Sequence, residues 1–283
     1  MKQVVFVADF FKEEVTGGAE INDDTLISFL ASKDLLYAKI KSERLSEAYI
    51  LDNIDKYYII SNFAFLPTVA KAALYKYGVY SIYEHDYKFL KNRNPITYPD
   101  FVAPDSQLTN INFYKKAHRV ICLSQMQKEI YEKNLDLDNL ENIRTSLFSE
   151  ELIEFLLSLS KKKKKKKYAV IKSSNPIKKT QEAANFCLKN GYEYDLISHN
   201  NNAKFLEILS EYENLVFMTG HPEPTPRIAI ECKIMGVNII APRRLMGIAS
   251  EPWFNTTGFE FVVGLRDARQ EAENMFQRML GEI

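Results

Sequence analysis

Short runs of β-branched and aromatic residues alternate along this chain with longer stretches whose apolar residues recur every three to four positions. In the first half this pattern predicts strands near 3–8, 35–40, 57–61, 79–84 and 119–123, and helices near 18–32, 66–77 and 125–134. It then starts again. Strands are predicted near 168–172, 193–198, 214–218 and 237–241, with helices near 178–190, 202–211 and 226–235 and a terminal helix over 266–281. Such alternation is the sequence sign of parallel sheets covered by helices.

Because the pattern occurs twice in 283 residues, two domains of about 140 residues are expected, divided as 1–148 and 149–283. An amphipathic segment, Glu150–Ser160, joins them and leads into seven consecutive lysines, Lys161–Lys167. Like charges in such number repel one another, so the run reads as a solvated loop before the first strand of the second domain. A sharper alternative is peripheral contact with anionic lipid head groups or a polyanionic acceptor. Residues 86–112, with Pro95, Pro99 and Pro104, form the least regular stretch, and a loop of that length inside a compact α/β unit suits function.

Composition narrows the picture. Hydrophobic residues make up 46% and charged residues 26%, with 18 Phe and 16 Tyr, enough to fill sizeable cores. Thirty-seven basic and thirty-seven acidic residues cancel, so no global field draws the chain to nucleic acid. Cys122, Cys187 and Cys232 are odd in number and each lies in an apolar segment, which suits reduced packing residues in a cytoplasmic protein. The first residues run straight into a strand without a signal-peptide layout, and no apolar run approaches the length of a membrane span.

Two stretches carry chemistry. In Thr16-Gly17-Gly18-Ala19-Glu20, two glycines stand where a strand turns into a helix, so the backbone can approach a ligand closely and free N–H groups favour negative charge. The stretch lacks the full Gly-x-Gly-x-x-Gly fingerprint and any Walker lysine, and a purely structural turn reads equally well. The second stretch, Gly220-His221-Pro222-Glu223-Pro224-Thr225-Pro226-Arg227-Ile228-Ala229-Ile230-Glu231, runs from a strand end through a turn into a helix. Glu223 and Glu231 are separated by seven residues. Glu231 falls amid apolar neighbours, where a carboxylate needs donors such as ribose hydroxyls or an arginine, unless it is an ion-paired glutamate facing solvent.

Glu-Pro followed by a helix bearing Glu231, then Met235-Gly236-Val237-Asn238-Ile239-Ile240-Ala241, resembles the signature of retaining GT-B glycosyltransferases, family 4 in particular. Gly17-Gly18-Ala19-Glu20 is similar to that family's first loop, and Glu84-His85-Asp86 to its histidine-bearing loop. The resemblance implies an α/β chain of GT-B type, with two Rossmann-like domains facing across a cleft that holds a nucleotide-diphosphate sugar, the donor substrate; no separate cofactor is implied. Glu231 would then bind ribose hydroxyls and Glu223 would lie beside the donor sugar. Main-chain N–H groups around Thr225 and Arg227 would face the sugar or diphosphate, Gly17 and Gly18 would line the donor, and His85 would touch donor or acceptor near the reacting carbon. A satisfied structural histidine is the plain alternative for His85.

The sequence also departs from that pattern. The family's arginine after the first strand of the second domain, and the lysine that follows it, have Lys172 and Lys178 as nearest substitutes, and lysine lacks guanidinium's bidentate fork. Pro226 stands where glycine is common and removes a backbone donor. No clustered His/Asp/Glu ligand set is found, and no Asp-x-Asp stands where a divalent ion would sit, so metal-independent transfer is expected. The acceptor, whether glycan, lipid or small molecule, is not encoded in any motif. Two other functions fit the same features: a non-catalytic GT-B-like binding subunit, or a sugar-nucleotide epimerase.

Overall fold

The computed structural model describes residues 2–282. They fall into two compact units, one made of 2–147 with 268–282, the other of 148–267. The first unit contains β1 (Val4–Ala8), α1 (Gly18–Ser32), β2 (Leu36–Lys41), α2 (Glu47–Asp52), β3 (Tyr57–Ile60), α3 (Thr68–Tyr77), β4 (Val79–Tyr83), α4 (Ile111–Lys116), β5 (Val120–Cys122), α5 (Gln125–Asn134) and β6 (Leu140–Asn142). Every pairing is parallel, in the order β2-β1-β3-β4-β5-β6. All five residues of β1 are buried. Successive strand residues point to opposite faces, and two apolar clusters divide accordingly. Val5, Val7, Tyr58, Ile60, Tyr80 and Ile82 belong to one, while Val4, Phe6, Tyr57, Ile59 and Tyr83 belong to the other.

The second unit contains α6 (Glu150–Leu159), β7 (Lys165–Ile171), α7 (Thr180–Lys189), β8 (Tyr194–Ile197), α8 (Asn202–Leu209), β9 (Tyr212–Val216), α9 (Arg227–Met235) and β10 (Asn238–Ile240). Its sheet is also parallel, ordered β10-β9-β7-β8. In both sheets the chain moves outward on one side of its first strand and then returns to the other, between β1 and β3 and between β7 and β9. Carboxyl ends of strands at such a reversal form the crevice where open α/β sheets bind ligands.

Three features differ from the sequence reading. The last helix, α10 (Gly258–Gly281), starts eight residues earlier than expected. Its aromatic and β-branched opening hides the helical period, yet Phe261, Val262 and Leu265 are all buried. From Ala268 onward the helix belongs to the first unit, where Ala272, Phe276, Met279 and Leu280 pack on the cluster around Val4 and Phe6.

The lysine run is not wholly a solvated loop, because Lys165, Lys166 and Lys167 lie within β7. Lys165 pairs with Glu211 at 2.8 Å and Lys167 with Asp195 at 3.3 Å, so neighbouring acids offset the like charges. Lys164 donates to the carbonyls of Ser210 (3.0 Å) and Met235 (2.9 Å), at the ends of α8 and α9, where helix carbonyls lack partners and attract a cation. Finally, α2, α4 and β6 were not expected at all. Each is six residues or fewer, too short to show a period.

Candidate functional site

At the carboxyl ends of β1, β3 and β4, the first unit gathers Asp9, Ser61 and His85. Asp9 is buried and accepts hydrogen bonds from the backbone N–H groups of Ala64 (2.8 Å) and Phe65 (3.1 Å), with the Ser42 hydroxyl as a further donor. His85 Nε2 lies 2.7 Å from Asp23 Oδ1, and the Ser61 hydroxyl donates to the other oxygen of Asp23 at 2.6 Å. The next residue back along α1, Asn22, donates to the Tyr83 hydroxyl at 2.6 Å and accepts the Leu147 N–H at 2.5 Å. The Tyr83 ring meets the His85 ring at a centroid distance of 4.7 Å.

Gly17 caps the start of α1 with ordinary extended backbone, φ −92°. With no side chain there, the space is taken by the Glu20 carboxylate: a Cβ would fall 2.2 Å from Glu20 Oε2 and would have to push that flexible group aside. The carboxylate of Glu20 thus folds back over the helix start, and burial pushes its pKa up, with Asp23 adding to the shift. The anion at this helix N-terminus is the chain's own.

On either side of His85, Glu84 and Asp86 are tied down. Glu84 is fully buried and meets the Lys88 ammonium and the Tyr114 hydroxyl, the latter at 2.5 Å. Asp86 pairs with Lys88 at 2.8 Å and with Arg93. Burial raises the pKa of Glu84 despite Lys88. For Asp86 burial acts in the same sense, but Lys88 and Arg93 outweigh it and the carboxyl is held well below its usual range. The Gln127 amide donates to the carbonyls of Glu84 (3.2 Å) and Asp86 (3.0 Å), so the backbone around His85 is held as well.

In the second unit the turn after β9 carries Glu223. Its N–H donates to the Leu245 carbonyl and its carbonyl accepts from the Gly247 N–H, both at 2.8 Å. Lys178 reaches Glu223 Oε1 at 3.1 Å, so two residues singled out in the sequence meet across 45 positions. Further along, Arg227 and Glu231 are both buried on α9, with Nε 4.0 Å from Oε1. The Arg227 guanidinium stacks 3.9 Å from the ring centre of Phe148. Glu231 accepts no hydrogen bond from the described residues, and burial raises its pKa although Arg227 opposes the shift. Thr225 is buried too, and its hydroxyl has no hydrogen-bond partner among the described residues.

Of the residues named from sequence, the structure therefore joins Lys178 to Glu223 and Arg227 to Glu231. Lys172, just beyond β7, is exposed and among the described residues makes only a backbone bond, its N–H to the Ile197 carbonyl. Asp9, Glu20 and Asp23 were missed. A signal was available: Asn22 and Asp23 are buried in α1 beside Leu26, Ile27 and Leu30, so the stripe that faces the core carries two adjacent polar residues. All three cysteines are free and buried. Among the described residues no helix is long and apolar enough to cross a membrane.

No protein-family model matches the chain, and no curated protein matches it in sequence. Solved structures do match in shape. One is Anabaena Alr3699/HepE in complex with UDP and glucose, with a TM-score of 0.58 and 11% identity over 98% of this chain and 100% of that one. The UDP-forming α,α-trehalose-phosphate synthase from Burkholderia vietnamiensis reaches 0.60 at 8% identity, covering 100% and 99%. A glycosyltransferase from Rickettsia africae gives 0.53 at 12%, covering 99% and 93%. The fold is GT-B.

Within this fold each parallel sheet has a reversal point, and Asp9, Ser61, His85, Lys172 and Glu223 lie beyond the carboxyl ends of strands, with Asp23, Arg227 and Glu231 on the helices that follow. Gly17 and Gly18 open α1, the helix after β1.

Proposed function

We propose that this chain is a glycosyltransferase that takes a sugar from a nucleotide-diphosphate donor and passes it on with retention. The observation that carries the reading is Glu231: a buried carboxylate that, among the described residues, pairs only with Arg227 and meets no hydrogen-bond donor, while Thr225 at the start of the same block has a buried hydroxyl without a partner there. Buried carboxylates are normally satisfied, and vicinal ribose hydroxyls would supply the missing donors. Neighbouring structures that hold UDP and UDP-glucose support a uridine donor as the first to test.

In this reading the second unit, 148–267, binds the donor and the first unit serves the acceptor side. Glu223 lies by the donor sugar. Lys172, Lys178 and Arg227 offset charge on the departing diphosphate, together with main-chain N–H groups around Thr225, so the transfer proceeds without a metal ion. The Lys178–Glu223 pair is partly exposed, at 37% and 23%, and such pairs are weak. A diphosphate can therefore draw Lys178 away. Gly17 and Gly18 leave room for the sugar rather than a second anion, since Glu20 already occupies that helix start. His85 contacts the sugar near the reacting carbon, and the cytoplasm supplies the nucleotide sugar.

Peripheral membrane contact through Lys161–Lys167 has weaker support, because Lys162, Lys164, Lys165 and Lys167 already have protein partners. A second reading, a non-catalytic binding subunit, is favoured by one observation: lysines replace the arginine fork at Lys172 and Lys178. Calorimetry with UDP-, GDP- and ADP-glucose tests the main proposal. One of them should bind wild type and fail to bind Glu231→Ala; if none binds, the proposal is wrong. Binding without release of the sugar to water or any acceptor would favour the second reading.

A further inference from the structure

We infer that Asp23 is a positioning residue: it holds His85 with its ring proton on Nε2, so that Nδ1 is left as a hydrogen-bond acceptor for a hydroxyl of the bound sugar. The inference rests on the glycosyltransferase reading for the identity of the ligand, but its geometric part stands alone. Asp23 is fully buried; one of its oxygens accepts from Ser61 at 2.6 Å, and the other lies 2.7 Å from His85 Nε2. An ionised carboxylate has no proton to give, so the hydrogen in the second bond belongs to the imidazole.

The ring has little freedom to turn. Its neighbour Tyr83 packs against it, and the Tyr83 hydroxyl is held by Asn22, the residue next to Asp23 on α1. On the main chain, Glu84 and Asp86 are fixed by Gln127, Lys88 and Arg93. A histidine serving only to fill the core would have both nitrogens satisfied. Here Nδ1 has no hydrogen-bond partner among the described residues and is not one of the side-chain atoms sealed from solvent.

The chemistry of an unprotonated ring nitrogen selects its ligand. It accepts from a hydroxyl and repels phosphate or carbonyl oxygens, which can only accept. His85 therefore reads the sugar rather than the diphosphate, and Asp23 sets that preference from outside the site. Replacing Asp23 by asparagine presents an N–H to Nε2, which moves the ring proton to Nδ1 and turns the acceptor into a donor.

Long-range proton–nitrogen NMR of uniformly 15N-labelled wild-type protein at neutral pH tests this directly. The chain has four histidines, and loss of one signal set in His85→Gln assigns His85. An unprotonated Nδ1 and protonated Nε2 are expected; protonated Nδ1, in either the other tautomer or the imidazolium, overturns the inference, and should His85→Gln not fold, contacts with the Tyr83 ring assign the signals in wild type instead. In Asp23→Asn the proton should move to Nδ1. With UDP-glucose as probe, kcat should fall roughly ten- to hundredfold with KM unchanged. If UDP binds and Asp23→Asn turns over UDP-glucose at the wild-type rate, the positioning role is refuted. If the tautomer is as expected but wild type neither binds nor consumes UDP-, GDP- or ADP-glucose, the proposed function fails instead, and the Asp23–His85 arrangement is upheld.

Discussion

The ammonium of Lys178 stands 3.1 Å from the carboxylate of Glu223. The family resemblance implies that both groups face a bound donor, and in the structure they hold each other. The pair keeps the turn after β9 against the segment that follows β7, and its partial exposure makes it easy to open.

Lys178→Ala should accordingly alter stability by no more than about 1 kcal/mol, as expected of a partly exposed ion pair. Its effect on ligand should be larger. Urea unfolding would give the first quantity and calorimetric titration with UDP the second; a large loss of stability with unchanged affinity would make the pair structural.

Glu231 gives a pH signature. Its pKa is raised in the folded protein, so between the unfolded and folded values the native state binds more protons than the unfolded state. The resulting stability is complete below the unfolded value of about 4.5 and is lost as pH rises through the folded value. Glu231→Gln removes this loss. Its melting temperature should exceed wild type near neutral pH by about 2–4 °C for each kcal/mol recovered, and the gap should close in acid. Melting curves across that range check the sign.

The buried cluster behind His85 should be costly to break. Lys88→Met leaves Glu84 and Asp86 without their shared cation, and removing one member of a buried ion pair destabilises by about 3–5 kcal/mol. A denaturant midpoint close to wild type would show that water takes the place of the ammonium.

Within the lysine run the residues should not be interchangeable. Lys164→Ala removes the cation bonded to the carbonyls of Ser210 and Met235 and should cost about 1–2 kcal/mol. Lys163→Ala, at an exposed position, should stay within about 0.5 kcal/mol of wild type. Equal urea midpoints would restore the view of the run as a uniform solvated loop.

How much could be read in advance depended on length and locality. Helices α1 and α5 appear over 18–32 and 125–134 as their periods indicate, and each expected strand lies within three residues of its predicted start. Both the Gly17-Gly18 turn and the Glu223–Glu231 block stand at helix starts after strands, as expected. The short elements α2, α4 and β6 left no period to read. β7 began inside lysines whose charges looked unburiable until Glu211 and Asp195 were seen beside them.

By itself, then, the sequence determined the alternation of strands and helices, its repetition, and the placing of the Gly17-Gly18 and Glu223–Glu231 stretches at helix starts, because hydrophobic period and turn chemistry act over a few neighbours. Tertiary structure alone decided that Asp23 would meet His85 across 62 positions, that Glu20 would fill the space over Gly17, and that α10 would finish on the first sheet. Those outcomes depend on strand order and on which faces remain to be covered once the sheets have formed. No local pattern encodes either.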